Sequence, residues 1–198
     1  MARPRQFDEN EVLEKAMLCF WQNGYEGASL KDLEEATGLG RISLYNTFKD
    51  KEHLFIAAQN MYYQWSDGFM TQFFNDNATL DDLVKFIEQT TSSNPTEAPA
   101  KFGCLMANTA LDTKTITDQI AENVKSYRLM VKSHYKSLLE RSQKNGEIRA
   151  NINVDSAAEF IVGSFWGAMA IGRLYKDRSV AKPQLDMVIE TIKGWKAR

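Results

Sequence analysis

Between Arg41 and Lys51 the chain sets out side chains suited to recognising a polyanion: Arg41, Ser43, Tyr45, Asn46, Thr47, Lys49 and Lys51. An arginine guanidinium can fork onto guanine, and an asparagine amide onto adenine, in the DNA major groove. Tyrosine, threonine and lysine hydrogen-bond phosphates, which sets register without reading bases. Arg41, Ser43, Tyr45 and Asn46 are therefore the candidate groove-facing set, and Tyr45, Thr47 and Lys49 the candidate phosphate contacts. Lys51 opens a further helix, where the helix dipole and the ammonium both favour a phosphate. Arg3 and Arg5 lie in a basic arm over residues 1–6. They can reach the DNA backbone or minor groove, or serve only as a solvated tail.

A second chemistry is that of Cys104, in the run Phe102-Gly103-Cys104-Leu105-Met106. A helix starting there, with Lys101 nearby, would favour the thiolate, which reacts with electrophiles and oxidants. The plainer reading is a small buried hydrophobe, and it is favoured here and more strongly for Cys19. The two histidines, His53 and His134, are far apart in sequence, and no Cys/His cluster has metal-ligand spacing. No nucleophile–base signature or phosphate-binding glycine loop is visible. The expectation is of no catalytic residues, no metal and no cofactor.

The elements that must present these residues are helical. Leu30, Leu33 and Ala36 recur at helical spacing after Ser29, a cap with Asp32 three residues on. Gly38-Leu39-Gly40 breaks that helix, since glycine tolerates the positive φ of a tight turn. A second short helix follows, with either Ile42 and Tyr45 or Leu44 and Phe48 on its inner side. Two helices joined in this way form a helix-turn-helix whose second member fits the major groove.

A first helix is predicted over about 8–23, closed by Gly24. A fourth, rich in large side chains, runs from Lys51 to about Phe74. Thr79 with Asp82 opens a fifth, reaching about Thr91, and 92–100 reads as a loop. A short sixth covers about 102–112, a long seventh 117–144, an eighth 156–176 capped by Asp155, and a ninth begins at Pro183. There is no strand-like alternation and only 4 prolines, so the fold class is all-α.

The chain has 198 residues, 43% hydrophobic and 25% charged, with a net charge of −2. That composition is a globular protein's, and the charge excludes a generic polyanion binder. The first 52 residues carry 7 positive and 10 negative charges, a net of −3. Only local potential at the contact surface matters, and the bases gather on the arm, the second helix of the motif and its exit. The longest apolar run, Phe160 to Gly172, is interrupted by Ser164 and is shorter than the ~20 residues a bilayer span needs. Two distant cysteines and an apolar-poor N-terminus point to a cytoplasmic protein without membrane partners.

Phe-x-x-x-Gly-Tyr at 20–25 and Leu-Tyr-x-x-Phe-x-x-Lys-Glu at 44–52 together resemble the tetracycline-repressor-like (TetR/AcrR) transcriptional regulators. The match covers roughly the N-terminal quarter. It departs at Ile42-Ser43, where many members have a serine, a basic residue and a small residue, and at Asn46-Thr47. The resemblance implies a three-helix DNA-binding domain over 1–50 and a six-helix ligand-binding and dimerisation domain over 51–198. It implies a homodimer on a palindromic double-stranded operator, released by a small hydrophobic or reactive effector. Within that frame Trp65, Phe69, Phe102, Cys104, Met106, Tyr127, Phe165 and Trp166 are candidate pocket residues, with a close-packed core as the plain alternative. Gly163, Gly167, Ala168 and Gly172 of the eighth helix, with Val188, Ile192 and Trp195 of the ninth, are candidate dimer contacts. Their alternative is packing within one chain. Two competing readings are a redox or electrophile sensor acting through Cys104 and a helical small-molecule carrier that does not touch DNA.

Overall fold

Capping residues set where the helices begin. Asp8 accepts from the amide of Asn10 at 2.8 Å and starts α1 (Glu9–Gly27), which bends at Gly24, φ 78°. Ser29 and Asp32 cap α2 (Leu30–Thr37) reciprocally, the serine amide donating to the carboxylate at 2.8 Å and the hydroxyl accepting at 3.2 Å. Next come α3 (Arg41–Phe48), α4 (Lys51–Phe73) and α5 (Leu80–Ser92), then the short α6 (Leu105–Ala110) and the long α7 (Asp118–Lys144). The last two are α8 (Val154–Tyr175) and α9 (Lys182–Gly194), joined through a 3-10 turn at Arg178–Ala181. This computed structural model describes residues 7–92, 102–112 and 116–197. Arg3, Arg5 and nearly all of the expected 92–100 loop lie outside the described residues. No strand occurs among the described residues, only an isolated bridge between Ile148 and Lys196.

Two boundaries differ from the sequence expectation. The amide carbonyl of Asn153, not the carboxylate of Asp155, caps α8 by accepting from Ser156 N at 2.9 Å, so the helix starts at Val154. Asp155 instead binds Lys132 at 2.8 Å and Lys136 at 3.2 Å on α7. The sixth helix starts at Leu105 because Gly103 sits at φ 76°, outside helical space, and Cys104 becomes its cap.

α4 is the axis. Its first turns pack on α1, where Phe20 and Phe55 meet edge to face with centroids 4.8 Å apart and both rings fully buried. Further along, Tyr62 lies 5.5 Å from Tyr127 of α7, and Ser66 shares a 3.0 Å hydrogen bond with the same tyrosine. Asp67 accepts from the His134 ring at 2.8 Å. α8 then covers α7 with Ala158, Ile161, Val162 and Phe165 buried, and α9 covers α8. Taken whole, α8 is 22 residues long and apolar enough in composition to cross a bilayer. That holds by length and composition alone, and its inner face packs on α7 and α9.

Candidate nucleic-acid interface and effector cavity

The α2–α3 turn is built around an unusual cap. Gly38 ends α2 at φ 74°. Gly40, the N-cap of α3, has ordinary extended geometry (φ −69°, ψ 158°) and no side chain to offer. Glu34 fills the role from α2, its carboxylate accepting from Arg41 N at 2.5 Å. An anion is favourable at that end of a helix.

α3 is then seated by one fully buried residue, Leu44, with Tyr45, Thr47 and Phe48 half-buried and Arg41, Ile42, Ser43 and Asn46 exposed. Leucine 44 and phenylalanine 48 therefore form the inner side, together with the tyrosine ring, and Ile42 points outward. The Arg41 guanidinium sits 5.8 Å from the centroid of the Tyr45 ring. Thr47 donates its hydroxyl to Ser43 O at 3.0 Å, which turns it along its own helix.

The exit from α3 is strained. Lys49 adopts φ 71° although it is not glycine, and its amide donates to Tyr45 O at 2.8 Å. Its ammonium donates to His53 Nε2 at 3.2 Å, and His53 Nδ1 donates to Asp50 at 2.8 Å. Hydrogen bonds from the His53 backbone and ring hold Asp50 below the usual carboxylate range. Lys51 does not extend freely outward: its ammonium lies 5.0 Å over the Tyr25 ring and 3.5 Å from Glu26 O, folded onto the end of α1.

A cavity of about 440 Å³ lies between α1, α4, α7 and α8. Trp21, Tyr62, Trp65, Phe69, Tyr127, Phe165 and Trp166 supply most of its wall, with Ser66, Cys104 and Arg178 among the polar groups. Burial pushes the Tyr62 and Tyr127 phenols well above their usual range. Arg178 is the one charged side chain in the lining among the described residues, and burial lowers its pKa. The Cys104 sulfur lies 3.8 Å from the Tyr127 hydroxyl and accepts from Ala107 N at 3.5 Å. Trp21, which belongs to α1, donates its indole N–H to Gly103 O at 3.1 Å and meets Tyr62 edge to face at 4.9 Å. The helix that carries the helix-turn-helix thus forms part of the cavity wall.

Comparison with known proteins decides what this pairing of elements belongs to. The family model described as bacterial regulatory proteins, tetR family, matches residues 12–58. That of the tetracyclin repressor-like C-terminal domain matches 79–187. The HTH-type transcriptional repressor ComR of Escherichia coli is 32% identical over 160 residues, covering 80% of this chain and 76% of that protein. The chain belongs to the TetR family of transcriptional regulators. A TetR-family regulator from Cytophaga hutchinsonii superposes with a TM-score of 0.82 at 22% identity, over 96% of this chain and 94% of that one. The TetR-family regulator CifR, in a structure with 26-bp double-strand operator DNA, superposes at 0.76 with 26% identity, over 98% and 100%.

The residues expected in this TetR-family chain from sequence are distributed unevenly. Trp65, Phe69, Cys104, Tyr127, Phe165 and Trp166 line the cavity. Phe102 and Met106 do not: Met106 is fully buried, takes the Gln59 amide at 3.7 Å and borders a separate groove with Asn60 and Asn123. Phe102 is half-buried, its carbonyl accepting from Asn108 at 2.8 Å.

Most expected dimer contacts are spent within one chain. Val188 and Ile192 are buried in their own core, as is Ala168. Gly172 admits the Arg178 segment, whose Cα would lie 3.3 Å from an added Cβ, and Gly167 likewise admits the Gln184 amide at 3.3 Å. Gly163 stays open, and Trp195 is half-buried against Phe160. The outward stripe of α8 instead runs through Phe160, Gly163, Ile171 and Leu174. Met187 on α9 is also exposed.

Spacing along one helix gives no sign of the roles of Trp21 and Arg178, which act across long separations in the chain, or of Glu34, which acts across the turn seven residues on. Gly40, lacking a capping side chain, was the one signal that a cap for α3 must come from elsewhere.

Proposed function

We propose that this regulator represses transcription by placing the α3 helices of two copies in successive major grooves of an operator, and that an apolar effector in the α1–α4–α7–α8 cavity releases it. The observation that carries the reading is the division of α3: Leu44 anchors the helix while Arg41, Ser43 and Asn46 stand in solvent on one projecting element. Arg41 and Asn46 read bases, Tyr45 and Lys49 hold phosphates, and Thr47 joins them when its hydroxyl turns away from Ser43 O. Lys51 serves the start of α4 from its seat on Tyr25. Dimerisation through the outward stripe of α8 and Met187 sets the two helices about 34 Å apart, one DNA turn. The division into a DNA-binding unit over 1–50 and an effector and dimer unit over 51–198 follows the same logic, with Trp21 bridging the two. ComR is itself a repressor, and CifR has been seen on its operator. The protein acts where the chromosome is, in the cytoplasm, and its role requires no catalysis.

Effector binding shifts operator affinity by no more than the effector's differential affinity for the two states. Trp21 gives it a direct hold on α1. Cys104 favours a second reading, because its sulfur faces the same cavity beside Tyr127. An electrophile trapped there would act as a covalent effector. Cys104→Ser would then keep operator affinity and lose release by electrophiles such as N-ethylmaleimide.

The deciding experiment is a gel shift on an operator selected in vitro with the full chain. Binding should fall steeply with salt, as several phosphate contacts require. Tyr45→Ala and Lys49→Ala should each weaken it across all sequences, and Lys49→Ala should also flatten the salt slope. Unchanged affinity in both variants would refute the contact face.

A further inference from the structure

Ile42 is the second residue of α3 and is 78% exposed. It belongs neither to the buried core nor to the apolar residues packed against it. A β-branched side chain in the first turn of an eight-residue helix also contributes little to helix formation. Single exposed hydrophobes are ordinary on protein surfaces. What separates Ile42 is its address, on the one exposed face of the element that enters DNA. Asn46 lies four residues on, hence on the same face one turn away, and both are exposed. Arg41 and Tyr45 occupy the neighbouring strip, paired through the guanidinium and the ring. Glu34 holds the first turn of α3 in place, so the Ile42 side chain projects from an ordered backbone.

We propose that Ile42 is a specificity-determining residue that reads thymine through its C5 methyl group. The inference rests on the docking of α3 proposed above and adds to it the identity of one base. In the major groove the thymine methyl is the distinctive apolar feature among donors and acceptors. An apolar side chain gains nothing from the hydrogen-bonding edges of the other bases, but removes its own surface and the methyl from water when the two meet. Each half-site therefore carries a thymine under the first turn of α3. An adenine lies within reach of the Asn46 amide, one helical turn further along.

The test uses the full chain and its in-vitro-selected operator. Each thymine is replaced in turn by deoxyuridine, which removes the methyl and leaves every hydrogen-bonding group in place. Wild type should lose about fourfold per half-site at one thymine position, the worth of one buried methyl-sized group, and roughly fifteenfold when both half-sites are changed. Ile42→Ala should bind the thymine operator more weakly and show no further loss with deoxyuridine, while Ile42→Val keeps most of the discrimination. Ile42→Ala replaces an exposed residue with a better helix former, so the variant folds. If no thymine responds to methyl removal, or if Ile42→Ala loses the same factor as wild type, the thymine contact is overturned while α3 docking stands. A chain that selects no operator overturns both.

Discussion

Glu34 and Gly40 allow the architecture of the reading head to be tested apart from its contacts. Glu34 supplies the cap that Gly40 lacks, accepting from Arg41 N at 2.5 Å across the turn. An eight-residue helix is marginal alone, so its first turn depends on that acceptor. Glu34→Ala removes the acceptor and should cost α3 about 1 kcal/mol, the usual worth of an N-cap. Amide exchange at Arg41 and Leu44 should accelerate about fivefold, and operator affinity should fall by up to the same factor per half-site. Glu34→Gln keeps an acceptor oxygen and removes the charge. Exchange should then stay near wild type, and operator affinity should hold or rise, because a negative charge has left the neighbourhood of the phosphates. Gly40→Ser should rescue Glu34→Ala. The backbone at residue 40 already has N-cap angles, and an added Cβ would meet only the Glu34 carboxylate, at 3.9 Å. Hydrogen exchange read by mass spectrometry or NMR, with anisotropy on the operator, measures both effects. Equal exchange rates in the Ala and Gln variants, or no rescue by Gly40→Ser, would refute the cross-turn cap.

Three further outcomes follow from the same structure. Gly103→Ala should destabilise the chain by roughly 1–3 kcal/mol in urea unfolding, because residue 103 sits at φ 76° and the new Cβ would lie 3.2 Å from Met169 O. Leu174→Glu with Met187→Glu should turn a dimer into a monomer in sedimentation while leaving helical content unchanged, since both side chains are exposed in one chain, at 77% and 66%. Hydrogen bonds from Ser29, His53, Thr79 and Lys132 hold Asp32, Asp50, Asp82 and Asp155 below their ordinary pKa of 3.8. A depressed folded-state pKa stabilises the fold above that ordinary value and is lost as pH falls through the folded one. Stability measured by denaturant should therefore decline below about pH 4, and less so in Asp82→Asn.

Local rules carried much of this protein. Ser29 and Asp32, Gly38, Pro183 and the apolar spacing of each helix are short-range features, and helix order and class follow from them because capping and periodicity act within one or two turns. The polar, solvent-facing character of Arg41, Ser43 and Asn46 was legible for the same reason, and six of the eight residues named from sequence for a pocket do line the cavity.

What the chain alone left open were contacts between residues far apart in sequence. Two alternatives for the inner side of α3 were equally periodic, and only docking on α2 and α4 buried Leu44 and released Ile42. The small residues of α8 could have served either of two partners. Tertiary packing gave Gly167 to Gln184 and Gly172 to Arg178, leaving the outward stripe to Phe160, Ile171 and Leu174. Trp21 became a cavity wall, and Arg178 its charged lining residue, through separations of 82 and 116 residues from Gly103 and Tyr62. Spacing along a helix says which face a side chain shares. Which neighbour covers that face is settled only when the helices close on one another.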